Sequence, residues 1–103
     1  MAWIVRYSAS AAKAIRKLDP SLRPRLRAAV EAIAEDPHRG KPLQLTLRGL
    51  RSWRTGDYRI VYRVTEEALE VLVIAVGHRR EVYDRLRELV QEFPATYGFH
   101  QGP

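Results

Sequence analysis

Hydrophobic and polar positions along the chain change their period three times. Trp3 to Ser8 (WIVRYS) is rich in β-branched and aromatic residues, which predicts a short strand. Beyond it Ala11, Ala14, Ile15 and Leu18 recur at helical spacing while Lys13, Arg16 and Lys17 fall off the stripe, so a short helix is expected, capped by Ser8 or Ser10. Asp19 and Pro20 end it and open a second helix. There Leu22, Leu26, Val30 and Ile33 form the apolar stripe, with Arg23, Arg25 and Arg27 beside it. Pro24 leaves the start of that helix open, because an interior proline loses a hydrogen bond and clashes with the preceding turn. EDPHRGKP closes the segment.

From Leu43 the period becomes two. LQLTLRGLRSWRTGDYRIVYRVTEEALEVLVIAVG reads as three antiparallel strands with turns at Thr55 to Asp57 and Thr65 to Ala68. In the middle strand Tyr58, Ile60, Tyr62 and Val64 point one way while Arg59, Val61 and Arg63 point the other. LEVLVIAVG is apolar on both faces, as a central strand is, and Gly77 ends it. HRREVY reads as a loop, and DRLRELVQEF as a final helix with Leu86, Leu89, Val90 and Phe93 on one face. The order β-α-α-β-β-β-α predicts an α+β fold, a small antiparallel sheet with helices grouped on one face. Residues 1–93 are expected to form one domain and the Pro/Gly-rich residues 94–103 a loose tail.

Composition narrows the chemistry. The 103 residues include 18 Lys and Arg against 12 Asp and Glu, a formal net charge of +6, so an anionic partner is expected. Arginine makes up 15 of the 18, which suits bidentate phosphate recognition, although a GC-rich genome produces the same bias. Cysteine is absent, which removes disulfides, thiolate catalysis and Cys-based zinc sites. The N-terminal apolar run is too short for a signal sequence and no stretch approaches a membrane span, so a soluble, cytoplasmic protein is expected.

HExxH, P-loop, GxGxxG and GxSxG motifs are all missing, and His38, His78 and His100 lie far apart, so no metal and no cofactor are expected. Arg51, Arg54 and Arg59 lie on neighbouring strands, and His78, Arg79 and Arg80 emerge from the end of the next, so separate segments bring basic groups toward one region. With Trp53 and the tyrosines nearby, such a surface can hold phosphates and stack bases. RNA carries its own nucleophile in the 2′-OH. Cleaving it needs orientation, charge stabilisation on the pentavalent phosphate and a proton shuttle.

RTGDYRIVYRV followed by VGHRREVYDRL resembles the RelE branch of the RelE/ParE toxin superfamily of bacterial type II toxin–antitoxin pairs, over about residues 2–89. The resemblance implies a RelE-like fold and an mRNA endonuclease that acts on the ribosome, in the aminoacyl site, without metal, by 2′-OH attack that leaves a cyclic phosphate. It places the catalytic set on Arg59, Arg79 and Tyr83, the arginines holding the scissile phosphate and the tyrosine stacking on or orienting the substrate. Arg54 matches a further basic position, and Arg48, Arg51, His78 and Arg80 join it as candidate RNA contacts. Lysines that take part in proton transfer in the best-studied relatives fall here near Leu50 and Ser52. Arg48 and Arg51 can replace their charge, but arginine is a poor general base. His78 is the alternative, since imidazole exchanges a proton near neutral pH.

Bland readings stand beside these. Arg59 can pair with Asp57 or Glu81, Tyr83 can simply pack the final helix on the sheet, and Trp53 reads as a packing residue at the groove floor. The same fold also serves ParE-like toxins that bind DNA gyrase and inactive members that only bind an antitoxin, while a non-catalytic RNA-binding protein is a third class. The toxin reading implies as partners the ribosome, mRNA and a cognate antitoxin with an acidic, partly disordered segment that covers the arginines.

Overall fold

The computed structural model describes residues 3–44, 47–78, 81–84 and 86. Strand β1 (Ile4–Tyr7) leads into helix α1 (Ala9–Lys17), and a 3-10 turn (Pro20–Leu22) separates that helix from α2 (Arg23–Glu35). A second 3-10 turn (Pro37–Arg39) precedes β2 (Lys41–Pro42), β3 (Arg51–Thr55), β4 (Tyr58–Thr65) and β5 (Glu70–His78). The five strands lie in the order β1-β5-β4-β3-β2. The α+β class follows, with one refinement: β1 runs parallel to β5, so the sheet is mixed. No helix among the described residues is long and apolar enough to cross a membrane.

Local chemistry explains the helix ends. Ser8 is the cap of α1: its Oγ accepts from the Ala11 amide at 3.0 Å and donates to the Ile74 carbonyl at 2.8 Å. One hydroxyl thus fixes the helix start and ties it to β5. Asp19 accepts from the Ser21 amide at 2.9 Å, which holds its carboxyl below the usual carboxylate range. Pro24 falls in the first turn of α2, where its missing N–H has no intrahelical partner to lose.

Both faces of the sheet are covered. Ala11, Leu26, Ala29 and Ile33 from α1 and α2 pack on Ile60, Tyr62, Val71, Val73 and Val76. The opposite face carries Val61, Ile74 and Ala75, and Leu47, Leu50, Val82 and Leu86 close over it. The alternation expected in β4 is therefore observed. A register shift between Val61 and Tyr62 pairs them with Ala75 and Val73, leaving Ile74 as the extra residue, so Ile74 and Ala75 share one face.

Two expectations change. The strand expected from Leu43 begins only at Arg51. Residues 47–49 turn, with Gly49 at φ 98°, and Leu47 and Leu50 both drop into the second core instead of alternating. The loop expected over HRREVY is already helical at Glu81, Val82 and Tyr83, because Val82 is drawn onto that core. Of the final helix, Asp84 and Leu86 are helical, and the remainder of 84–93, like the tail, lies outside the described residues.

Tyr62 anchors the first core. It is fully buried, and its hydroxyl donates to the Pro37 carbonyl at 2.6 Å. A Cβ on Gly40 would fall on that hydroxyl and lie 2.8 Å from the Tyr62 Cζ. Gly40→Ala is therefore expected to lower the unfolding free energy by about 2–3 kcal/mol, as overpacking does. Tyr62→Phe alone costs about 1 kcal/mol through the lost hydrogen bond, yet in the Gly40→Ala background it recovers part of the loss, because the hydroxyl clash is removed while the 2.8 Å contact with Cζ remains. A urea double-mutant cycle reads this inversion, and additive losses would contradict the contact.

Burial also raises the Tyr62 phenol above its ordinary pKa, against a smaller opposing pull from the Arg51 charge. The folded value is the higher one, so its contribution to stability is complete below about pH 10 and is lost as pH rises through the folded value. The urea midpoint should fall from pH 9.5 upward, less steeply in Tyr62→Phe; equal slopes would exclude Tyr62 as a source.

Candidate functional site

Gly56 and Asp57 join β3 to β4 in a two-residue turn, and Gly56 takes φ 61°. Positive φ at the first turn position alone matches the twist of the strands, and glycine reaches it without strain. This turn sets the hairpin register. Arg54 then lies opposite Arg59, on the face away from α1 and α2. Like charges directly opposite on an antiparallel pair destabilise a sheet. Among the described ion pairs, Arg6–Glu70 and His38–Glu66, neither arginine takes part. Asp57 and Glu81 therefore do not neutralise Arg59.

On its other side Arg59 pairs with Gly77 of β5. A Cβ on Gly77 would meet Val82 at 3.5 Å, so the helical turn after β5 sits directly on this glycine. Tyr83 is thereby carried over Arg59. Arg59 Nη1 donates to the Tyr83 hydroxyl at 3.3 Å, and its Cζ lies 5.7 Å from the centre of the ring. Arg59 is half-buried, and its Nε is the one buried side-chain polar atom without a partner among the described residues. Arg54 is exposed, with Nε donating to the Gly56 carbonyl at 3.2 Å.

The structure thus joins Arg54, Arg59 and Tyr83, and separates them from other candidates. Arg51 lies opposite Tyr62 and donates from Nη1 to the carbonyls of His38 and Gly40 at 2.9 and 2.8 Å. It pins the loop before β2. Arg48 is exposed on the turn before β3, at the end of that strand away from Gly56. His78 pairs with Tyr58, their rings edge to face with centroids 5.6 Å apart, and so belongs to the α1 side. Trp53 packs, as expected, but into the helix-covered core and under the Arg39 guanidinium, 5.4 Å from its ring centre. It forms no floor beneath Arg59. Arg79 and Arg80 lie outside the described residues. Leu50 and Ser52, where lysines were compared, are both buried.

Residues 5–83 match the family described as the ParE toxin of the type II toxin–antitoxin system parDE. The chain belongs to the RelE/ParE superfamily of type II toxins. It is 37% identical to Toxin RelG of Mycobacterium tuberculosis over 90 residues, 82% of this chain and 100% of that protein. With the mRNA interferase toxin RelE of Escherichia coli it shares 33% identity over 91 residues, 81% of this chain and 92% of the other. Among solved structures, the toxin–antitoxin complex RelBE2 of M. tuberculosis superposes with a TM-score of 0.72 at 32% identity, covering 77% of this chain and 93% of that one.

Sequence reading missed one feature of the toxin. Lys13 and Lys17, expected as a solvated face of α1, line a cleft of about 470 Å³ together with Tyr58 and His78. The signal was their spacing of four residues on the helix that packs beside the end of β5.

The unpaired Arg59 Nε has a measurable consequence for the toxin. A buried donor without a partner costs about 1–3 kcal/mol. Arg59→Met, which keeps the stem and removes the donors, is expected to hold or raise the unfolding free energy, by up to about 1 kcal/mol. A fall of more than about 1 kcal/mol in urea unfolding would assign Arg59 to the fold instead.

Proposed function

We propose that the toxin is an endoribonuclease that cuts mRNA on the ribosome, in the cytoplasm, through the groove at Arg59. The observation that carries this is the half-buried Arg59 guanidinium, held against the Tyr83 ring and hydroxyl while keeping an unpaired Nε. Such a group offers preorganised donors at a site of restricted solvent access, which favours the charge that develops on a phosphate under attack. The naming of the E. coli relative as an mRNA interferase supports the same reading.

In this mechanism the substrate 2′-oxygen attacks the adjacent phosphorus, the P–O5′ bond breaks, and a 2′,3′-cyclic phosphate and a 5′-hydroxyl result. One proton leaves the 2′-OH and one reaches the departing O5′. Arg59 and Arg79 hold the non-bridging oxygens, and Arg54 adds charge along the strand. Tyr83 orients the nucleotide beside the scissile bond. Leu50 has no ionisable group and Ser52 is buried, so neither supplies a lysine-like base. The residues of this chain thus orient and neutralise, and residues 1–93 act as one domain.

A cognate antitoxin completes the proposal, supported by the solved complexes of similar toxins. Its acidic segment would cover the Arg54–Arg59 face and neutralise two cations that have no ion-pair partner among the described residues. Gyrase inhibition is the second reading, favoured by the ParE description of the matching family.

Purified toxin in a cell-free translation mixture, with primer extension on the message, tests both. Ribosome-dependent breaks in register with codons are expected, and Arg59→Ala should reduce them by about 10²-fold or more. Arg79→Lys should also be damaging, because lysine lacks the bidentate fork. An intact message together with inhibited supercoiling would replace the nuclease by the gyrase reading.

A further inference from the structure

The cleft beside α1 lies on the other side of the sheet from Arg59. Lys13 and Lys17 line one wall, Tyr58 and His78 another, and Ala14, Leu18 and Val76 give it an apolar floor. Its volume is about 470 Å³, within the range of small-molecule sites. Two like charges four residues apart weaken an isolated helix. Among the described residues neither lysine has an ion-pair partner, and Glu81, which lines the same cleft, pairs with neither. A cationic wall facing an aromatic pair across an apolar floor has the form of a site for a phosphorylated ring.

Its position relates it to RNA. Tyr58 is the neighbour of Arg59 in β4, and His78 the neighbour of Gly77, which pairs with Arg59. Adjacent residues of a strand point to opposite faces. The cleft and the Arg59 groove therefore meet at the same sheet end, one residue apart along each of two paired strands. A single strand held by a phosphate at Arg59 can pass over that end.

We propose that this cleft binds one nucleotide of the same RNA strand, its phosphate on Lys13 and Lys17 and its base against Tyr58 and His78. The proposal extends the nuclease reading and rests on it for the identity of the ligand. Glu81 gives the site a preference: its carboxylate accepts from an exocyclic amino group, which cytosine, adenine and guanine carry and uracil lacks.

The test uses the full-length protein, labelled with nitrogen-15, and four probes: inorganic phosphate, CMP, UMP and a 2′-O-methyl RNA hexanucleotide that cannot be cut. CMP is expected to shift the amides of residues 13–18 and 76–78 with several-fold tighter binding than UMP or phosphate. The hexanucleotide should shift these amides and those flanking Arg59. Lys13→Gln/Lys17→Gln, at two exposed positions, should weaken hexanucleotide binding about five- to tenfold at low salt. It should also flatten the plot of log K against log salt by about 0.7, the contribution of one phosphate contact on a single strand. Glu81→Gln should narrow the gap between CMP and UMP.

Unchanged amides at residues 13–18 with every probe, or an unaltered salt slope in the double variant, would overturn the site. Shifts from CMP with an uncut message in the translation assay would keep the site and remove the nuclease. Cleavage without such shifts would do the reverse.

Discussion

β5 has no solvent side, and the rest of the fold is arranged to cover it. Val71, Val73 and Val76 need α1 and α2 above them; Ile74 and Ala75 need Val82 and Leu86 below. The extra residue in its ladder makes the second demand larger, because two consecutive side chains then face the same way. Ser8 connects this irregularity to the helix layer, donating to the Ile74 carbonyl while capping α1. Covering the lower face draws the chain after His78 back across Gly77. That return, a requirement of packing, is what sets Tyr83 over Arg59.

The Arg54–Arg59 face is thus built where stability is given up. Among the described residues Arg54 and Arg59 oppose one another without a carboxylate between them, and Arg59 keeps a buried donor unpaired. Both features cost stability in the isolated chain. The anion proposed to bind this face would offset the repulsion between the two guanidiniums. The β3–β4 ladder holds the two arginines opposite one another, so their backbones cannot separate without breaking the hairpin.

Much of this was legible in the residues, for identifiable reasons. The Gly-Asp turn and the alternation of β4 are read directly, but the residues place the turn at Thr55 to Asp57, and only the pairing of Thr55 with Tyr58 sets Arg54 opposite Arg59. Ser8 before an apolar stripe marked a helix start. The failures have physical causes too. Leu43, Leu47 and Leu50 look like strand positions because burial in a turn leaves the same apolar trace as burial in a sheet. The parallel partner of β1 is a choice of topology that its own four residues do not encode. Arg51 carries the same charge as Arg54, and only three-dimensional placement shows it spent on the carbonyls of His38 and Gly40.

The misplacement of His78 is the most instructive. Counting basic residues near a strand end groups it with Arg79 and Arg80, whereas pairing with Tyr58 assigns it to the helix side. A thin sheet end makes both statements compatible with one continuous ligand: the side chains of Tyr58 and Arg59 diverge, but their backbones are consecutive. A folded protein partner would have to wrap this edge to touch both faces. A single nucleic-acid strand bends around it with few constraints and carries a negative charge at every step. The division of cations between two faces that share one edge is therefore better matched to a flexible polyanion, as proposed above, than to a rigid surface.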